Sequence, residues 1–107
     1  MKTVVYTPEA LADIESIWDY TSDRWGLEQA WAYDRRLEQR ILGIATGRIA
    51  SQSADRIAPT LRRAIAERHV VFFREDNKQF AVVRVLHERM DVGQALSDLD
   101  FIPAELA

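Results

Sequence analysis

The sequence predicts an α+β fold in which an N-terminal strand and an αα-hairpin precede a three-stranded antiparallel β-meander, the strands forming one sheet packed on the helices. Three observations predict it. Apolar residues recur at steps of three and four between Leu11 and Ile44, in two runs parted by Gly26. From Leu61 to His87 the period changes to two, and β-branched and aromatic residues become frequent. The short connections Glu67-Arg68 and Asp76-Asn77-Lys78 then force neighbouring strands into antiparallel hairpins.

Taken in order, Lys2 to Tyr6 reads as a strand, because Val4, Val5 and Tyr6 favour extended backbone and Pro8 stops its continuation. Thr7 is placed as an N-cap, with Pro8 at the first helical position and Glu9 at the positive end of the helix dipole. Leu11, Ile14, Trp18, Thr21 and Trp25 mark the apolar face of the first helix, widened by Ile17. Asp13, Glu15, Asp19 and Asp23 are assigned to its solvated face. Gly26 supplies the left-handed stop, and Ala30, Tyr33, Leu37, Ile41 and Ile44 carry the second helix until Gly43 and Gly47 weaken and end it.

Arg48 to Thr60 is expected to be a loop with room for one helical turn. The meander then comprises Leu61 to Ala66, His69 to Glu75 and Gln79 to His87. In the last strand Phe80, Val82, Arg84 and Leu86 alternate with Ala81, Val83, Val85 and His87, so both sheet faces need covering. The helices supply one cover. The tail, Val92 to Ala107, or a partner is expected to supply the other.

The chain has 107 residues, 48% of them hydrophobic, enough for one domain spanning 1–107 with a core of its own. With no cysteine, disulfides and thiolate chemistry are excluded, and the absence of a long apolar run gives a cytoplasmic expectation with no membrane contact. Fourteen basic against seventeen acidic residues leave a formal charge of -3, the wrong sign for a protein bound to phosphate backbones. Direct sequence-specific nucleic-acid binding is therefore not expected. His69 and His87 are the only histidines, and neither sits in a metal-ligand spacing, so no metal and no cofactor is assigned.

Three polar positions in the sheet stand out: Arg63, Arg84 and His87. A charge alternating with apolar residues needs a partner, and Asp91 or Asp55 is the structural candidate for Arg84. A surface for a phosphate or an acidic peptide is the functional one. Arg84 and His87 are an odd number apart, so a regular strand sends them to opposite faces. Trp18, Trp25 and Trp31 gather about the hairpin, as core and rim packing or as a groove for an apolar segment of another protein.

The opening strand, Thr7-Pro8-Glu9-Ala10, Asp13-Ile14, Ile17-Trp18-Asp19-Tyr20, the Gly26 break, Leu61-Arg62, His69 to Arg74, and Arg84 to His87 with Met90-Asp91 resemble the ParE toxins of the RelE/ParE superfamily. The resemblance spans nearly the whole chain up to Asp91. It implies a bacterial type II toxin held by a cognate, ParD-like antitoxin that wraps extended and helical segments around it. The ParE branch is associated with poisoning DNA gyrase, and the RelE branch with ribosome-dependent cleavage of mRNA.

Under the gyrase reading Arg84, His87, Arg89, Met90 and Asp91 are the target-contact candidates. Trp18, Trp25, Trp31, Arg62, Arg63 and Phe73 are the antitoxin-contact candidates, and there is no hydrolytic site. Under the nuclease alternative Arg63, Arg84 and His87 would be catalytic, which the strand parity and the acidic composition disfavour. An inert antitoxin-binding homologue is the third reading. The tail departs from the shorter ParE pattern, and its role is open.

Overall fold

The computed structural model describes residues 2–89, so Met90, Asp91 and the tail, with the roles expected of them, lie outside the described residues. The elements run β1 (Thr3–Tyr6), α1 (Pro8–Trp25), α2 (Leu27–Ala45), β2 (Gln52–Ser53), β3 (Arg62–Ala66), β4 (His69–Glu75) and β5 (Gln79–His87). They form one five-stranded sheet in the order β1-β5-β4-β3-β2. The meander is present as expected, flanked by β1, parallel to β5, and by β2, which pairs with β3.

Thr7 caps α1 in the expected way. Its extended backbone (φ -68°, ψ 158°) lets Oγ1 accept from the Ala10 amide at 3.1 Å. The apolar stripe of α1, however, is rotated from the expected one. Ala10 is fully buried and Ile14 and Ile17 pack on the core, whereas Leu11 and Trp25 are 55% and 67% exposed. The methyl of Ala10 permits a close approach of helix to sheet that the bulkier Leu11 would prevent. Along α2, Ala30, Leu37, Ile41 and Ile44 are buried as their spacing predicts.

The hairpin is joined by one residue, Gly26, at φ 92°, a left-handed conformation that a side chain would strain. Gly43 has a different reason. A Cβ there would meet Ile49 Cδ1 at 2.7 Å, so the chain leaving α2 can fold back onto the helix only because this position is bare.

The core lies on both sheet faces. Between helices and sheet sit Ala10, Leu37, Ile41, Val71, Phe73, Phe80, Val82 and Val85. On the far face Leu61, Phe72, Val83 and Leu86 are covered by Ala54 and Ala58, with Ile57 packed alongside. Part of the expected loop thus provides the second cover that was assigned to the tail or a partner. Buried Arg74 holds it down, its Nε and Nη2 donating to Pro59 O at 3.1 and 2.9 Å. Val82 and Val85 share one core and Val83 and Leu86 the other, because the β4/β5 register slips from Phe72↔Arg84 to Phe73↔Val82, leaving Val83 as a bulge.

Candidate functional site

β1 accompanies β5 only as far as the Tyr6↔Val82 pair, and beyond it the β5 edge has no strand beside it among the described residues. The first turns of α1 satisfy that edge. Thr7 N donates to Val82 O at 3.0 Å, and Thr7 Oγ1 to Val83 O at 2.8 Å. One and a half turns on, Asp13 Oδ2 accepts from the Val85 amide at 2.9 Å and from Arg84 Nε at 2.7 Å, while Oδ1 accepts from Arg84 Nη2 at 2.9 Å. Asp13 is therefore not part of a solvated acidic face. Arg84 pairs with this helix carboxylate, whereas Asp55 uses Oδ1 to accept from the Thr60 amide and Asp91 lies outside the described residues.

The three residues proposed for a nuclease site do not assemble. Arg63 and Arg84 lie in one register row with Phe72 between them, but Arg63 is exposed and reaches Gln52 Oε1 at 3.4 Å. Arg84 is occupied by Asp13. His87 lies in a different row, opposite His69, because the bulge at Val83 precedes both Arg84 and His87 and leaves their odd spacing in force.

His87 instead borders a groove of about 980 Å³ between the helical hairpin and the ends of β4 and β5. Ile17, Tyr20 and Trp25 line its helical side, and His69, His87 and Arg68 its sheet side. The His69 and His87 rings meet edge to face with centroids 5.3 Å apart. His69 Nδ1 is 2.6 Å from Tyr33 Oη, which also accepts from the Arg68 amide at 3.2 Å. Burial, then the neighbouring His87, hold the His69 pKa down at about 4, against opposing pulls from Glu88 and Asp13. Burial likewise raises the Tyr33 pKa, partly offset by the Arg68 amide. Both groups are neutral near pH 7.

His69, Tyr33, Arg68 and Asp13 were given no site role from the sequence, although Asp13 and His69 stand within the family-like motifs. A signal existed for the histidine pair: the two-residue connection Glu67-Arg68 puts His69 at the start of a strand whose antiparallel neighbour ends at His87. Among the described residues no group of three or more His, Cys, Asp or Glu is disposed to hold a metal ion. No described helix is long and apolar enough to cross a membrane.

The family model of the ParE toxin of the parDE type II toxin–antitoxin system matches residues 4–92. The chain belongs to the ParE toxin family. Toxin ParE1 of Mycobacterium tuberculosis is 42% identical over 91 residues, 84% of this chain and 93% of that protein. Toxin ParE of Escherichia coli is 37% identical over 99 residues, 92% and 96% of the two chains. Among solved structures, a chain of the chromosomal ParDE toxin–antitoxin system of Pseudomonas aeruginosa is similar with TM-score 0.69 and 20% identity, over 81% of this chain and 96% of that one. A YafQ mutant from E. coli shares the fold more distantly, with TM-score 0.51 and 10% identity over 82% and 94%.

Within this ParE-family fold the antitoxin-contact candidates divide. Trp25 and Trp31 are exposed, and Trp18 is half-buried against Trp31, the rings 4.9 Å apart and nearly perpendicular. Trp25 alone of the three lines the groove. Arg62 is tied to Ser51 through Nε and Nη2, while Arg63 stays on the surface. Phe73 is 1% exposed and stacks on Phe80, so it belongs to the core and is withdrawn as a contact residue.

Proposed function

We propose that this chain is the toxin of a bacterial type II toxin–antitoxin pair, that it inhibits DNA gyrase by binding, and that an antitoxin encoded beside it neutralises it. The observation carrying the choice of binding over RNA cleavage is the commitment of Arg84 to Asp13. The guanidinium a nuclease would need on the transition-state phosphate donates Nε and Nη2 to the two carboxylate oxygens of Asp13, and His87 stands apart from it. Membership of the ParE family supports the gyrase target over the ribosome.

Induction of the chain alone should arrest growth, filament the cells and leave plasmids relaxed, and co-induction of the adjacent antitoxin should restore division. Arrest with normal plasmid topology and truncated mRNA would replace the gyrase target with the ribosome. Normal growth in the presence of folded protein would leave the inert homologue standing.

A further inference from the structure

At the sheet end of the groove two of the target-contact candidates, His87 and Arg89, share a donor array with His69 and Arg68, which the gyrase reading does not use. Tyr33 Oη accepts from the Arg68 amide, which directs the phenol proton to His69 Nδ1 at 2.6 Å. The His69 proton then resides on Nε2. His87 Nδ1 accepts from the Arg89 amide at 3.1 Å, which likewise leaves its proton on Nε2. His69 is only 9% exposed and lines the groove. Arg36 is drawn to Glu67 at 3.5 Å and Asp13 to Arg84, whereas Arg68 and Arg89 have no ion-pair partner among the described residues. Two imidazole N–H groups and two arginines therefore line a groove whose helical wall carries Ile17, Tyr20 and Trp25 among the polar Ser16, Thr21 and Gln29.

The geometry points to this end of the groove as a carboxylate subsite, formed by His69, His87, Arg68 and Arg89, that takes an acidic side chain of a partner polypeptide whose apolar residues lie along Ile17, Tyr20 and Trp25. Charge complementarity identifies the occupant. Arg36, Arg68, Arg84 and Arg89 against Asp13, Glu67 and Glu88 leave a local surplus of one positive charge, which suits one carboxylate, and a nucleic-acid backbone would also meet the exposed Glu15, Asp19 and Asp23 of α1. The partner is the antitoxin, and to that extent the inference rests on the neutralisation proposed above.

The test uses the described fold in its full chain, with imidazole nitrogens followed by 15N NMR. Probes are a blocked amphipathic peptide carrying leucines at helical spacing and one glutamate, its glutamine counterpart, and oligothymidylate. The free protein should show His69 protonated on Nε2. The glutamate peptide should shift both Nε2–H signals and bind about tenfold more tightly than the glutamine peptide, the difference a charge-assisted hydrogen bond provides. Arg68→Ala and His87→Phe should each abolish that preference.

An Nδ1–H tautomer at His69, equal binding of the two peptides, or stronger shifts with oligothymidylate would each overturn the assignment. Because the peptides do not depend on toxicity, failure here with neutralisation intact in cells removes the subsite alone. Failure of neutralisation with the glutamate preference intact removes the antitoxin as occupant.

Discussion

At Asp13 a single carboxylate accepts from one backbone amide and two guanidinium nitrogens, and its side chain is 14% exposed against 22% for Arg84. Removing it takes two hydrogen bonds from a half-buried guanidinium and one from an edge amide. Asp13→Ala should therefore cost about 2–3 kcal/mol in denaturant unfolding, and Asp13→Ala with Arg84→Ala less than the sum of the two single changes. Asp13 was misread as solvated because it was grouped with the acidic Glu15, Asp19 and Asp23, whereas the true buried stripe passes through Ala10, Ile14 and Ile17. His69 carries a pH signature. Its folded pKa, about 4, lies below the ordinary 6.5, so the unfolded chain takes up a proton first as pH falls. The stability from neutral His69 is complete above pH 6.5 and is lost as pH drops toward 4, up to about 3 kcal/mol. Tyr33, His87, Glu88, Asp13, Glu67 and the arginines 36 and 68 surround it, and Glu88 and Asp13 moderate the effect. A His69→Phe variant should lose this component of acid destabilisation, seen as a flatter dependence of unfolding free energy on pH over the same interval.

Among the elements, α1 is defined by its junction with β1 and β5. Thr7 serves the helix as N-cap and the sheet as edge donor with the same hydroxyl. Thr7→Ala should destabilise by about 1–2 kcal/mol, and Thr7→Ser should recover most of it, as measured by thermal melts. The helices and the meander were legible because period, cap and turn chemistry agreed: Thr7-Pro8, Gly26 and Asp76-Asn77-Lys78 each mark a boundary by a local mechanism. β2 was not legible, since Gln52 and Ser53 have little strand propensity and form a strand only because β3 presents an edge. The covering role of Ala54 and Ala58 was hidden for the same reason, being decided by buried Arg74 and the far sheet face rather than by local pattern. The bulge at Val83 leaves no composition signal, yet it reassigns which residues of β5 share a face.

For the whole molecule, family and architecture were readable from the ordered motifs, whereas the site was readable only in part. His87 and Arg89 were found because they lie at a strand end within a recognisable run. Their neighbours Tyr33, Arg68 and His69 come from α2 and the β3/β4 turn, and only tertiary folding brings them to the same groove. The binding reading proposed above is supported by the pairing of Arg84 with Asp13, by the contact each histidine makes through Nδ1, and by Ile17, Tyr20 and Trp25 across the groove. The central claim, inhibition of gyrase by stoichiometric binding, is tested most directly by adding purified, folded chain to DNA gyrase and relaxed plasmid and following supercoiling. Supercoiling should fall as the chain reaches molar excess over gyrase, and recover on addition of the adjacent antitoxin. Undiminished supercoiling at high excess, with codon-dependent cleavage of mRNA when the same preparation is added to translating ribosomes, would contradict it.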